Sequence, residues 1–162
     1  MVGKLCDFLL KRKMFVYNYR LPLRHEGTKK KFMTELERNE REEFLAKEIV
    51  DCAYRVHKQL GPGLLEKVYE VCFCHELAKK GISFKRQIDI SIVYDGLKFD
   101  EGLRLDVLVD DLVICELKAK DELNLVWKAQ IISHLKLTGK RIGFLINFNV
   151  TLIKDGIHRF RN

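Results

Sequence analysis

The sequence of 162 residues lacks any long apolar run and any pattern of a cleaved leader. No stretch approaches the ~20 consecutive apolar residues that a membrane-spanning helix needs, so we expect no membrane association. The short apolar stretch near the N-terminus is interrupted by Asp7 and by basic residues 11–13, and no small-residue cleavage site follows it. Internal repeats and low-complexity tracts are also absent. With 47% hydrophobic and 33% charged residues, the composition is typical of one globular domain.

Cysteine usage argues against a disulfide framework. The five cysteines cannot all pair, and none of them forms a CxxC motif. We favour reduced and mostly buried thiols, which indicates a cytoplasmic protein. The string Cys72-Phe73-Cys74-His75 hints at zinc, but successive residues on a helix point in different directions. Core packing is therefore the better explanation for these cysteines.

The net charge of +7 belongs entirely to the N-terminal segment. Residues 1–31 contain nine Lys or Arg and two acidic residues, and the remaining chain contains 21 residues of each sign. One interpretation of the segment is a basic arm that contacts phosphates. We favour another, in which residues 1–35 are a disordered extension or sequence translated upstream of a true start at Met33. The neutral body removes the usual charge-based reason to expect nucleic-acid binding.

Two helices are predicted at the start of the body, which we take to span residues 42–162. From Glu42 to Leu60, apolar residues recur at steps of three and four, which is typical of one buried helix face. Gly61-Pro62-Gly63 ends this helix, because proline lacks an amide donor and glycine permits left-handed geometry. A second helix is predicted from about Leu64 to Lys80.

Alternating apolar residues then predict strands, and a return to helical spacing predicts one more helix. The strands are predicted at residues 84–94, 97–99, 103–109, 112–117 and 142–148, and the helix at residues 123–137. Asp95-Gly96 is a strong two-residue hairpin signal between the first two strands. The order is therefore two helices, three or four strands, one helix and a last strand. We predict a mixed α/β (α+β) fold with a central mixed four-stranded sheet flanked by helices, in which the last helix is a crossover connection.

Charged residues occupy positions in two of these strands where Val or Leu would be expected. Asp106 lies in one strand, and Glu116 and Lys118 point to the same face of the next because side chains alternate. An acid and an ammonium group on an apolar strand are costly unless something requires them. Carboxylates bind Mg²⁺ or Mn²⁺, and a lysine can hold a water molecule and neutralise a phosphate. From spacing alone, a metal site for phosphodiester hydrolysis and an exposed cross-strand salt bridge are equal alternatives.

The connection between these two strands provides a test. If Asp110-Asp111 formed a two-residue turn, Asp106 would lie opposite Cys115 and on the other face from Glu116. The metal interpretation therefore predicts a three-residue connection, or a bulge, between the two strands.

Gly63, Glu66 and Tyr69 form the pattern GxxExxY at the start of the second predicted helix. Two further motifs lie at residues 135–139 and 145–148. With them, residues 42–162 resemble the GxxExxY proteins, which are small prokaryotic proteins placed in the PD-(D/E)XK nuclease superfamily. This resemblance implies a restriction-endonuclease-like core. Without it, Glu66 would be a favourable negative charge at a helix N-terminus, worth about 0.3–1 kcal/mol.

The resemblance also implies roles for individual residues. The metal ligands would be Glu66, Asp106 and Glu116. Lys118 would be the catalytic lysine, and Glu116 and Gln130 would belong to the catalytic group as well. Related nucleases carry a glutamine and, four residues later, a tyrosine on the following helix. Gln130 matches the glutamine, whereas His134 stands where the tyrosine would be and would otherwise be a surface or packing residue.

Three more residues have two interpretations each. Arg104 either binds a phosphate or pairs with Asp106, and we favour the pair. Tyr69 either orients Glu66 or fills the core. Trp127 either stacks on a base or packs against the sheet, and we favour packing.

These residues together predict a nuclease that uses Mg²⁺ or Mn²⁺ to hydrolyse phosphodiester bonds with a metal-activated water. Nucleic acid would be the partner, with DNA favoured over RNA. A homodimer or a partner protein would help so small a domain to grip its substrate. The alternative is a nuclease-fold module with little or no activity that binds nucleic acid or serves in an assembly. The neutral body and the small size favour this alternative.

Overall fold

The computed structural model describes residues 26–121 and 124–162, and residues 37–162 form a unit of their own. The helices are α1 (Glu26–Leu60), α2 (Glu66–Lys79), α3 (Leu125–Thr138) and α4 (Ile153–Gly156). The strands are β1 (Phe84–Tyr94), β2 (Leu97–Val109), β3 (Val113–Lys118), β4 (Ile142–Asn147) and β5 (Ile157–Arg161). They form a five-stranded sheet in the order β1-β2-β3-β4-β5, with β3 parallel to β4 and the other pairs antiparallel. Within the described ranges, no helix combines the length and apolarity needed to cross a membrane.

The central strands of the sheet are covered on both faces. Apart from Lys118 at the end of β3, every residue of β3 and β4 is buried, as expected of parallel strands packed between helices. On one side, a cluster with α1 and α2 includes Leu45, Ile49, Phe73, Leu77, Val113 and Cys115. On the other side, a cluster with α3 contains Leu105, Leu108, Ile114, Ile131 and Leu135. The predicted mixed α/β fold, with a mixed sheet flanked by helices, is confirmed.

The elements differ from the prediction in three places. Residues 97–109 form one continuous strand where two were expected. The sheet has a fifth strand, Ile157–Arg161, whose side chains are only partly buried and therefore give a weak apolar pattern. Helix α1 begins at Glu26, well before the predicted start at Glu42. The extension expected at residues 1–35 lies mostly outside the described residues and stays a prediction.

The described cysteines lie in or against the core, as predicted. Cys52 in α1, Cys74 in α2 and Cys115 in β3 are buried in one core cluster, and Cys72 packs against the same cluster. Burial disfavours the charged thiolate, and this raises the pKa of Cys52 to about 11 and that of Cys74 to about 12. These thiols are therefore packing groups, whereas Cys6 lies outside the described residues.

Candidate active site

The connection between β2 and β3 determines which side chains of the two strands meet. Val109 pairs with Val113, so residues 110–112 form a three-residue connection. Both aspartates of this connection have left-handed backbone conformations, with φ of 51° and 54°, which aspartate adopts more readily than most residues. The predicted three-residue connection is confirmed. The same register, continued along the strands, brings Asp106 level with Glu116.

The pairing of β2 with β3 ends where the charged residues begin. The last paired residues on this side are Val107 and Cys115. The main-chain N–H of Leu117 then donates to Oδ2 of Asp106 at 2.9 Å, so a side-chain carboxylate takes the place of a main-chain acceptor. Strand β3 continues beside β4 up to Lys118. Strands β2 and β3 therefore separate at this point, and polar side chains occupy the gap between them.

Strand β2 also loses its regular alternation at Asp106. Leu105 and Leu108 lie three positions apart, yet both pack on the α3 side, whereas Val107 packs on the side of α1 and α2. In the neighbouring strand β1, Gln87 has a left-handed φ of 50° and lies between the residues that pair with Leu105 and Val107. Strict alternation along β2 therefore does not predict the face of the sheet on which Asp106 lies. The sequence pattern did not indicate this irregularity.

The ammonium group of Lys118 lies between the carboxylates of the two strands. Its Nζ is 3.5 Å from Oδ2 of Asp106 and 3.7 Å from Oε2 of Glu116. It also donates to the carbonyl oxygen of Leu117 at 2.9 Å. The side chain of Lys118 is only 12% exposed, so these oxygens, more than water, stabilise the charge of its ammonium group. Three of the residues predicted for the site are thus brought together.

Glu116 is the most deeply buried acid of this group, with a side chain that is 1% exposed. Burial raises its pKa, and the nearby charge of Asp106 adds to the rise, whereas His134 and Lys118 oppose it. Nδ1 of His134 lies 2.6 Å from Oε1, and Nε2 of Gln130 lies 3.5 Å from Oε2. Two residues one turn apart on α3 therefore hold the two oxygens of this carboxylate.

His134 belongs to the site, although it would otherwise be read as a surface or packing residue. It is fully buried, and its Nε2 has no hydrogen-bond partner in the part of the chain that the structure describes. Because an ionised carboxylate only accepts hydrogen bonds, Nδ1 is the nitrogen that donates to Glu116. The sequence signal for this contact was the four-residue spacing from Gln130, which puts both side chains on one face of α3.

Glu66 lies beside the same group of charges. It is the first residue of α2 and is half-buried. Burial is the main cause that raises its pKa, and Asp106 adds to the rise. The charge of Lys118 and a hydrogen bond from the main chain of Ala119 act in the opposite direction. Glu66 therefore lies within electrostatic reach of Asp106 and Lys118.

The donor atoms suit a hard divalent cation, but a full ligand set is not arranged around one point. In residues 26–121 and 124–162, no group of three or more His, Cys, Asp or Glu side chains is positioned to hold a metal ion. Asp106 and Glu116 instead share the ammonium group of Lys118. Carboxylate oxygens are the ligands that Mg²⁺ prefers. The ammonium group of Lys118 lies near the carboxylates of both acids. The set of Glu66, Asp106 and Glu116 therefore stays a prediction.

Tyr69 acts on the site through the turn that precedes α2. Its Oη donates to the carbonyl oxygen of Gly61 at 2.7 Å and accepts from the N–H of Leu64 at 3.1 Å. Its ring is fully buried and stacks on Phe148, with 4.6 Å between the ring centroids. The tyrosine thus fills the core and also fixes the turn that leads into Glu66.

Asn147 fixes the chain that leaves β3, a role that sequence reasoning missed. The side chain is buried, and its Oδ1 accepts from the N–H groups of Lys120 and Asn149 at 3.1 and 3.2 Å. Its Nδ2 donates to the carbonyl oxygen of Lys120 at 2.7 Å. Since Asn147 pairs with Lys118 in the register of β3 and β4, these bonds support the segment next to the site. The signal available in the sequence was the position of Asn147, a polar residue at the end of the apolar strand β4.

Arg104 pairs with a different acid from the one expected. Its Nε lies 3.8 Å from Oδ1 of Asp89, and the two side chains are 61% and 75% exposed. The favoured pair with Asp106 is therefore wrong, because the register of β1 and β2 places Arg104 opposite Asp89. Trp127 is partly buried near the start of α3, which fits the packing interpretation.

Comparison with known families agrees with this geometry. A sequence model of the PD-(D/E)XK nuclease superfamily matches residues 43–160. The matched range includes all of the site residues described above and the whole sheet except Arg161, the last residue of β5. The narrower resemblance to the GxxExxY proteins is not confirmed by this match. No curated protein and no solved structure was found to match the chain.

Proposed function

Since the chain belongs to the PD-(D/E)XK nuclease superfamily, we propose that it is a metal-dependent nuclease that hydrolyses phosphodiester bonds of nucleic acid. The observation that carries this proposal is the meeting of Asp106, Glu116 and Lys118 at the point where β2 and β3 separate. Phosphodiester hydrolysis needs oxygen ligands for a cation and a positive group close to the phosphate. These three side chains are of the types that the reaction requires.

We assign the metal ligands to Asp106 and Glu116, with Glu66 as the third. A bound Mg²⁺ or Mn²⁺ would supply a Lewis acid for the phosphate and for the attacking water. The protein's own contribution is to keep buried carboxylates oriented. The N–H of Leu117 holds Asp106, while His134 and Gln130 hold Glu116. We therefore treat Gln130 and His134 as positioning residues.

We assign Lys118 to the attacking water and to the negative charge that develops on the phosphate. An ammonium group has three donor protons. Among the contacts of Lys118 with the described residues, only that with the carbonyl of Leu117 is a short hydrogen bond, at 2.9 Å, since the carboxylate oxygens lie at 3.5 and 3.7 Å. The group therefore retains donors for a water molecule or a phosphate oxygen.

The proposed substrate is nucleic acid, with DNA favoured over RNA. Beyond residue 31 the chain carries 21 positive and 21 negative residues, so its overall charge supplies little attraction for phosphates. A second copy of the chain or a partner protein is therefore expected to contribute to substrate binding.

A nuclease-fold module that binds nucleic acid without cutting it is the second candidate. It is favoured by the finding that no three metal-binding side chains are gathered around one point among the described residues. In such a module, the contacts of Lys118 with Asp106 and Glu116 would have a structural role only.

Cleavage assays with the full-length protein decide between these candidates. Single-stranded, duplex and branched DNA and RNA are incubated with Mg²⁺, with Mn²⁺ or with EDTA. We expect metal-dependent cleavage by the wild type and a loss of at least about 100-fold in Glu116→Gln and Lys118→Ala, with circular dichroism spectra unchanged. The matched control Glu40→Gln removes an exposed carboxylate from α1 and should cleave like the wild type.

Calorimetric titration with Mn²⁺ tests metal binding separately. Wild type should bind the ion and Asp106→Asn should bind it much more weakly, because one carboxylate ligand is lost. Metal binding without cleavage of any substrate would favour the binding module. Undiminished cleavage by Glu116→Gln would show that the activity has another source and would contradict the proposed site.

A further inference from the structure

A cavity of about 360 Å³ opens beside the proposed catalytic residues. It is lined by Glu66, Lys67, Glu70, Arg86, Gln87 and Arg104. These residues come from the first turns of α2 and from strands β1 and β2. Gln87 lies level with Asp106, between the strand pairs of Arg86 with Val107 and of Ile88 with Leu105. Glu66 lies within electrostatic reach of Asp106 and Lys118, so the cavity and the site share a border. The cavity therefore adjoins the place where we propose hydrolysis.

The buried acid of this cavity, Glu70, is already paired. Nε of Arg86 donates to its Oε1 at 2.6 Å, and Nε2 of Gln87 donates to its Oε2 at 2.8 Å. Consecutive residues of a regular strand point to opposite faces, and the left-handed φ of 50° at Gln87 explains why both side chains reach the same carboxylate. The terminal amino groups of Arg86 make no hydrogen bond with the described residues, so they are available to an anion.

Two more cations line the cavity, and neither has a strong partner among the residues that the structure describes. Arg104 lies 3.8 Å from Asp89, and an exposed pair at such a distance contributes little. Lys67 is exposed and forms no ion pair with any residue in the part of the chain that the structure describes. Three cations therefore line the cavity together with two acids, and because Arg86 neutralises Glu70, the charges of Lys67 and Arg104 exceed that of Glu66 by one.

We infer that this cavity binds a backbone phosphate of the nucleic-acid strand, next to the phosphodiester bond that is cleaved. The inference rests on the proposed function, because it takes the strand to pass from the cavity to the catalytic residues along Glu66. Guanidinium groups match phosphate oxygens through parallel hydrogen bonds, and Arg86 and Arg104 present two such groups from neighbouring strands. The volume is near the lower end of the ~300–1,000 Å³ typical of ligand sites, which suits a phosphate with its sugar.

Binding of fluorescent oligonucleotides to the full-length protein in EDTA tests the cavity without cleavage. The test variant, Lys67→Gln/Arg104→Gln, removes two exposed cations and leaves the bonds of the buried acid intact. The control, Lys85→Gln/Lys136→Gln, removes the same charge from exposed positions outside the cavity. We expect the test variant to bind single-stranded DNA about tenfold more weakly at low salt. The slope of log K against log salt concentration should fall by about 0.7 per lost contact, and the control should match the wild type.

The single variant Arg104→Lys keeps the charge and should retain most of the affinity. Equal affinity and salt slope in the test variant and the wild type would overturn the inference. Failure of the wild type to bind any oligonucleotide would also overturn it. So would a finding that polyglutamate competes as strongly as an unlabelled oligonucleotide does. The proposed function fails in a different way. If the wild type cleaves nothing with any metal while the test variant alone loses binding, hydrolysis is refuted and phosphate binding by the cavity stands.

Discussion

Replacing His134 with leucine tests the contact that holds the buried acid of the site. Leucine fills much of the same space but cannot donate to Glu116, whose Oε1 lies 2.6 Å from Nδ1 of the histidine. Gln130 and Lys118 cannot replace this bond, since their nitrogen atoms lie 3.5 and 3.7 Å from the other oxygen. The variant therefore contains a buried carboxyl group with one oxygen unpaired.

The expected loss of stability follows from this burial. A hydrogen bond to a charged group is worth about 1.5–3 kcal/mol, and removing one partner of a buried pair costs about 3–5 kcal/mol. Both side chains are 1% exposed, so water does not replace the bond. Glu116 can respond by taking up a proton, because its pKa is already raised by burial and rises further without the histidine. We therefore expect a loss of about 2–3 kcal/mol near neutral pH.

The sign of the pH dependence is fixed by the direction of this pKa shift. A carboxyl group whose pKa is raised by folding favours the folded state below its unfolded pKa, and this stability is lost as the pH rises through the raised pKa. In His134→Leu the pKa of Glu116 is raised further, so ionising the group costs more than in the wild type. The difference in the free energy of unfolding between variant and wild type should therefore be small at acidic pH and larger above neutrality.

Urea unfolding of the full-length protein in EDTA measures these free energies. A double-mutant cycle with Glu116→Gln should give a coupling energy of about 1.5–3 kcal/mol, since the glutamine removes the charge that His134 holds. The control Ser133→Ala changes an exposed position of the same helix and should alter stability by less than about 0.5 kcal/mol. A coupling energy near zero, or a loss independent of pH, would refute this account.

The remaining predictions concern the supports of the site and the core thiols. Tyr69→Phe removes two hydrogen bonds to the preceding turn but keeps the stacked ring, so urea unfolding should show a loss of about 1–2 kcal/mol. Asn147→Leu leaves main-chain groups of the segment after β3 unpaired, so it should lose about 2–3 kcal/mol and also lower any cleavage rate in the nuclease assay. A thiol-reactive dye at mildly alkaline pH should label Cys52 and Cys74 only after unfolding, because burial raises their pKa to about 11 and about 12; rapid labelling of the folded protein would contradict this.

Much of the site was predictable because its residues are unusual for their local positions. Glu116 and Lys118 stand out as charges at the end of an apolar strand, and Gln130 lies on the next predicted helix. The three-residue connection between β2 and β3 was predicted only as a requirement of the metal interpretation, with a bulge as the alternative, because it brings Asp106 level with Glu116. Each of these inferences needed only side-chain chemistry and a short-range period.

The features that were missed depend on contacts between distant segments. Gln87 and Asp106 interrupt the regular alternation of β1 and β2, and no residue type in either strand signals this. The partner of Arg104 follows from the register of these same strands. Strand β5 has a weak apolar pattern because it lies at the edge of the sheet and its side chains are only partly buried, so its place beside β4 was not predictable from alternation.

By itself, the sequence determined the kinds and order of the main helices and strands, and it marked the charged residues that an apolar strand would not otherwise contain. Periodicity and side-chain chemistry are local properties, so one chain is enough to read them. Only the tertiary structure decided which of those charges meet. Lys118 lies between Asp106 and Glu116, and His134 reaches Glu116, because strand register and the packing of α3 against the sheet bring distant segments together.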